Sequence, residues 1–237
     1  LSVTDTTKTD GVFVHRCTVA SGEVTQGMKV HAAVNAERRL AIMRNHTAAH
    51  LLQAALRRVL GTHVEQAGQL VTAEHVRFDF THFAALTAEE LQQVERLVNE
   101  ELLRGEPVTM TEMPIEEAKK LGAMALFGEK YGAMVRVVRA GEFSVEFCGG
   151  THIDNTAKLG LFKITGESSV AAGVRRIEAV TGFGAKQLLD GSLAEISAAA
   201  AALKTNSAEL VQRAVQITAE LKAKEKELAA LKSQMAA

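Results

Sequence analysis

Two pairs of donor side chains, His46 with His50 and Cys148 with His152, restrict the possible folds of this chain more than any other feature. If all four hold one cation, two segments about a hundred residues apart must fold against each other. His46 and His50 lie where apolar residues take helical spacing. Leu40, Met43, Ala48, Leu51, Leu52, Ala55 and Val59 crowd one side and predict a helix over 36–60, stopped by Gly61. Four residues is slightly more than one turn, so both imidazoles leave the same face and reach an ion about 2 Å from each. Such a pair is also common on a merely polar helix face. Cys148-Gly149-Gly150-Thr151-His152 repeats the spacing, but two glycines make a poor helix interior and predict a tight turn after a strand. Taken alone, Cys148 also reads as a small buried hydrophobe. Taken together, imidazole nitrogens and a thiolate suit zinc, and Zn2+ is the expected cofactor.

Four protein ligands complete a tetrahedron, which points to a structural ion, whereas hydrolysis needs an open position. The residues alone leave that choice open. The His-x-x-x-His spacing is shared with metallopeptidase helices, where a glutamate after the first histidine serves as base. Here that position is Thr47, so the peptidase reading lacks its proton acceptor.

The rest of the 237-residue chain reads as α+β. Residues 1–35 are β-rich around Val12, Val14 and the run Met28 to Val34, and predict part of a small β-barrel. Residues 36–185 mix helices and strands around the donor pairs. Strands are expected at Gln69–Thr72, Val76–Phe80, Pro107–Met113, Met134–Arg139, Phe143–Phe147, Leu161–Thr165 and Val174–Val180. Thr87-Ala88-Glu89-Glu90 is a capping box opening a helix to Arg104, and Pro114 opens a short one. From Leu193 to Leu231 a 3-4 repeat keeps ten of twelve seam positions apolar, with no glycine or proline after Gly191. This predicts one long coiled-coil-like helix over 186–237, seated on a second helix of the same chain or on another copy. The alternative is a helix packed on its own domain.

Nearly half of the residues are apolar and the formal net charge is −1, which excludes a wholly basic nucleic-acid coat but allows a local RNA-binding patch. Two distant cysteines, Cys17 and Cys148, make no disulfide framework and fit a reducing, cytoplasmic setting. No membrane span or signal peptide is expected. The first residue is Leu1 rather than Met, which reads as a fragment or a processed product.

Asn45-His46-Thr47-Ala48-Ala49-His50-Leu51-Leu52 and Phe147-Cys148-Gly149-Gly150-Thr151-His152 resemble the two signatures of the alanyl-tRNA synthetase editing domain. Related free-standing editing proteins and the threonyl-tRNA synthetase editing domain share them. Gly61-Thr62-His63-Val64 with Gln66, Arg77-Phe78-Asp79-Phe80, Ala123 to Gly132, and Gly173 to Gly182 are similar to the same synthetase. The resemblance covers residues 1–185, and the helix beyond suits the start of that enzyme's C-terminal oligomerisation region. Three positions depart from the pattern: Ala49 stands where threonine is usual, and Ala67 and Gln69 differ around Gln66. The barrel segment lacks its beginning. The class II aminoacylation domain, with its ATP site, is absent, so charging of tRNA is not expected.

The resemblance implies hydrolysis of the ester joining serine or glycine to tRNA(Ala), with His46, His50, Gln66, Cys148 and His152 in the catalytic site. A pocket for alanine distinguishes its neighbours by one methyl or hydroxyl, worth about 1–3 kcal/mol, so a second sieve is needed. Serine is larger than alanine, so this sieve must read the hydroxyl. Thr47 is the candidate reader, although its hydroxyl also has the option of bonding back to its helix. Gln66 can orient water but take no proton, and a ribose hydroxyl is a candidate to assist. Arg44, Arg57, Arg58, Lys130, Arg175 and Arg176 are candidate tRNA contacts, or else solvated surface charges. The competing readings are a non-enzymatic zinc-stabilised tRNA-binding or oligomerisation module, and a threonyl-type editing domain.

Overall fold

A computed structural model describes residues 1–124 and 131–235. Two compact units separate at Asn35 and Ala36. In the first, β1 (Ser2–Thr9) and β2 (Val12–Thr18) pair antiparallel. The Asp10-Gly11 turn between them has φ of 50° and 83°, the signature of a two-residue hairpin loop. Met28 to Val34, read above as strand-like, form no strand. Val30 and Val34 are exposed, and among the described residues no partner strand takes up their backbone groups. The expected barrel segment is therefore a two-stranded ribbon, and no closed barrel occurs among the described residues.

The second unit is built around α1 (Ala36–Leu60). It packs on α2 (Ala88–Arg104) and on a four-stranded sheet of order β3 (Gln66–Val71), β4 (Val76–Thr81), β9 (Val174–Thr181), β8 (Phe162–Ala171). It also touches β7 (Ser144–Phe147), the edge of a three-stranded sheet with β5 (Val108–Pro114) and β6 (Met134–Ala140). The short α3 (Ile115–Lys120) follows β5. Every pairing of these strands is antiparallel, the signature of an α+β fold.

Instead of one apolar stripe, α1 is buried on all sides through its middle: Asn45 and every residue from Thr47 to Leu56 are inaccessible. Ala48, Ala49, Ala54 and Ala55 let neighbours approach closely, and Leu51, Leu52 and Leu56 meet the fully buried Phe78, Phe80, Phe162 and Ile177. Each large side chain contributes about 1.5–3 kcal/mol on burial. Encirclement obliges the polar residues of α1 to find partners inside. Asn45 does so first: its amide donates to the Thr72 carbonyl at 2.9 Å, and its oxygen accepts from the Thr181 hydroxyl at 2.6 Å. The turn after α1 joins β3, whose register shifts at Ala67.

The single long C-terminal helix resolves into two, α4 (Gly182–Ala202) and α5 (Leu210–Met235). Lys204 adopts φ 52°, with Thr205 N–H bonded to the Ala200 carbonyl and Lys204 N–H to that of Ala201, a Schellman stop. Asn206 then accepts from Glu209 N–H at 3.0 Å, capping the next start. The Asn-x-x-Glu signal is present in the sequence at Asn206–Glu209, where the polar Ser207 also interrupts the apolar repeat. Among the described residues no helix is long and apolar enough to cross a membrane.

The capping box of α2 is present as expected: Thr87 accepts from Glu90 N–H, and the Glu90 carboxylate accepts from Thr87 N–H. Thr87→Ala should lower stability by about 1 kcal/mol with an unchanged denaturant slope, read from urea unfolding.

Candidate metal centre

The four donors converge. His46, His50, Cys148 and His152 each offer one ligand atom, and these lie within 4.8 Å of one another. Cys148 Sγ is 3.5 Å from His46 Nε2 and 3.3 Å from His152 Nε2. A tetrahedral ion with Zn–N of about 2.0–2.1 Å and Zn–S of about 2.3 Å puts nitrogen and sulfur about 3.5 Å apart, so the donors fit zinc.

Local structure explains the convergence. The α1 pitch brings His46 and His50 to one face, with ring centroids 5.3 Å apart. Cys148 and His152 follow β7 through a turn held by Arg136 of β6. Arg136 donates to the Cys148 and Gly150 carbonyls, and its own carbonyl accepts from Cys148 N–H. Gly150 is required by proximity rather than by backbone angle. A β-carbon there would sit 2.0 Å from Cε1 of His46, whereas one on Gly149 would meet nothing within 4 Å.

Each imidazole has a different outer partner. The Thr151 backbone bonds His46. His152 Nδ1 lies 3.2 Å from the Thr47 hydroxyl, which also accepts from Ile153 N–H. His50 Nδ1 faces the Glu146 carboxylate at 3.5 Å. Holding Nδ1 fixes the tautomer that turns Nε2 toward an ion. Burial lowers the pKa of all three rings, that of His50 to about 3 and that of His152 to about 2. They are therefore neutral, metal-ready ligands at neutral pH. Burial pushes Glu146 up to about 8.

His50 and His152 are buried, while His46 and Cys148 are only half-buried, so the cluster meets solvent along the His46–Cys148 edge. The Gln69 amide lies there, 3.4 Å from His46 Nε2. The bulge at Ala67 matters here. Gln66 pairs with Phe80 and Gln69 with Phe78, so both glutamines share the α1-facing side of β3. Gln66 is the first residue of the strand.

The structure places the other candidate residues as follows. Thr47 is buried, with its hydroxyl beside His152 Nδ1. The candidate RNA cations already have partners. Arg44 bonds the Lys158 carbonyl, Arg57 that of Val64, and Arg58 lies over the Phe143 ring. Arg175 pairs with Glu167, and Arg176 holds Asp79 through two nitrogens. Lys130, with most of the Ala123–Gly132 motif, lies outside the described residues. Sequence reasoning passed over Glu146 and Arg136. The only available hint of either was a charge inside an otherwise apolar strand, and solvent-facing strand residues leave the same trace.

Residues 135–178, which span β6, β7 and the Cys148 turn, match the family described as threonyl and alanyl tRNA synthetase second additional domain. Over 92% of its length the chain is 51% identical to the alanine–tRNA ligase of Bacillus subtilis, covering 25% of that protein. It is 49% identical over 99% of its length to that of Acetivibrio thermocellus, covering 27%. The chain thus spans about a quarter of the curated relatives it matches.

Gly150→Ala should displace His46 and reduce zinc stoichiometry well below one, while Gly149→Ala should leave it unchanged, measured by metal analysis after dialysis. The three histidines also set an acid limb for the metal-free chain. Their folded pKa values lie below the ordinary value of 6.5, so below that pH the unfolded chain takes protons that the folded one refuses. Glu146 acts oppositely above 4.5, but as one group against three. The unfolding midpoint with chelator present should therefore fall as pH drops from about 6.5 to about 4.5.

Proposed function

We propose that this chain is the proofreading part of an alanine–tRNA ligase, removing serine or glycine wrongly esterified to tRNA(Ala). The observation that carries this reading is the convergence of His46, His50, Cys148 and His152, open along one edge, in a chain about half identical to a segment of alanine–tRNA ligases. Bound among these four side chains, zinc supplies Lewis acidity toward an ester carbonyl. The chain's own residues do the positioning. The buried His50 and His152 close the inner side, so the aminoacyl end of the tRNA enters beside His46 and Cys148. Gln66 and Gln69 offer amides on that side to orient a water and to read the serine hydroxyl, the task first considered for Thr47. Thr47 instead holds His152 in register. Neither amide accepts a proton, which leaves that step to water or to a ribose hydroxyl of the substrate.

The complete set of four protein donors favours a second reading, a structural zinc in a tRNA-binding or oligomerisation module without hydrolytic activity. A threonyl-type specificity is the other alternative. In the wider assembly we place the chain in the cytoplasm, in contact with tRNA(Ala) through cations other than the internally paired arginines. Apolar residues on α4 and α5 such as Leu193, Val211, Val215 and Leu221 are exposed and would seat a further helix, from the same chain or another copy.

Purified chain should deacylate Ser-tRNA(Ala) well above the spontaneous rate, and should prefer it to Ser-tRNA(Thr). A zinc chelator or Cys148→Ala should return the rate to background. Tight zinc binding with no deacylation would select the structural module.

A further inference from the structure

We propose that Glu146 is a positioning residue of the metal centre, acting through His50. The inference rests on the zinc reading above and deepens it.

Glu146 lies in the middle of β7 and is 4% exposed, between Val145 and Phe147 of the second apolar cluster. A carboxylate costs much to bury unless its oxygens are engaged. The Ser144 hydroxyl donates to Oε1 at 3.0 Å. Oε2 faces His50 Nδ1 at 3.5 Å. From the other side, His50 Nδ1 is buried and, among the described residues, has no closer hydrogen-bond acceptor. Each buried group is thus the remaining partner of the other. At 3.5 Å this is a charge contact rather than a formed hydrogen bond.

Two consequences follow for a cation. The carboxylate selects the imidazole with its proton on Nδ1, so that Nε2 carries the lone pair facing Cys148, His46 and His152. It also balances charge. A divalent ion with one thiolate and three neutral imidazoles carries a net +1, a charge that favours the ionised form of the adjacent Glu146, and with that carboxylate ionised the assembly is neutral. Thr47 and the Thr151 backbone serve the other two rings without charge. Glu146 is therefore the one outer partner that both orients a ligand and compensates the ion.

The test is zinc affinity by competition with a chromogenic chelator, together with metal-free thermal unfolding, for the wild type, Glu146→Gln and Glu146→Leu. Glu146→Gln keeps shape and an acceptor oxygen but removes charge, and should weaken zinc by about tenfold. Glu146→Leu removes both, and should weaken it by up to about a hundredfold. Cobalt(II) bound to either variant should show an altered visible spectrum, since a freely rotating His50 changes the ligand field. A merely structural Glu146 predicts the reverse pattern, with metal-free unfolding shifted and zinc affinity and cobalt spectrum unchanged, and that result overturns the proposal. So does wild-type zinc affinity in Glu146→Leu. A wild-type chain that takes up no zinc overturns the metal reading itself, and this inference with it.

Discussion

The architecture depends on one helix being buried all round while carrying polar residues through its core. An encircled helix has no solvent face on which to leave an imidazole, an amide or a hydroxyl. Asn45, Thr47 and His50 must each be satisfied by another element. Asn45 takes the turn after β3 and the end of β9, Thr47 takes His152 and the Ile153 amide, and His50 takes β7 through Glu146. Two strands from different sheets and two turns are thereby registered on α1 within two helical turns. Small residues complete the arrangement, since Ala48, Ala49 and Gly150 let the turn approach closely enough for a thiol and three rings to share one centre.

That geometry gives the site a polarity. Its inner half, with His50 and His152, is buried, and its outer half is the half-buried His46–Cys148 edge. The β-bulge at Ala67 puts Gln66 and Gln69 on one side of β3, although an unbroken strand would have sent them to opposite faces, and Gln69 reaches His46 at that edge. The arginines play a different part: Arg176 with Asp79, Arg175 with Glu167 and Arg57 with the Val64 carbonyl tie strands and loops together.

Much was legible from local pattern. The helix carrying the histidines, the capped helix from Thr87 and most strands of the second unit are set by spacing, caps and β-branched runs, which act over a few residues. Reading failed where a local signal needs a distant partner. Met28 to Val34 have strand composition but no strand to pair with. The C-terminal repeat concealed a Schellman stop at Lys204, because nothing in composition demands a left-handed lysine. Glu146 and Arg136 looked like ordinary strand charges, and only packing reveals which face of a strand is inside.

The sequence by itself determined the donors. Two pairs at four-residue spacing, one on a helix and one in a glycine turn, specify by covalent geometry alone which atoms can share an ion. Tertiary structure decided the rest: that the pairs meet, that Thr47 and Glu146 stand behind the rings, that Gln66 and Gln69 share one side of β3, and which internal partners the arginines take. Those outcomes depend on contacts between residues far apart in the chain, and burial, which ranks one partner over another, exists only once the chain has closed around α1.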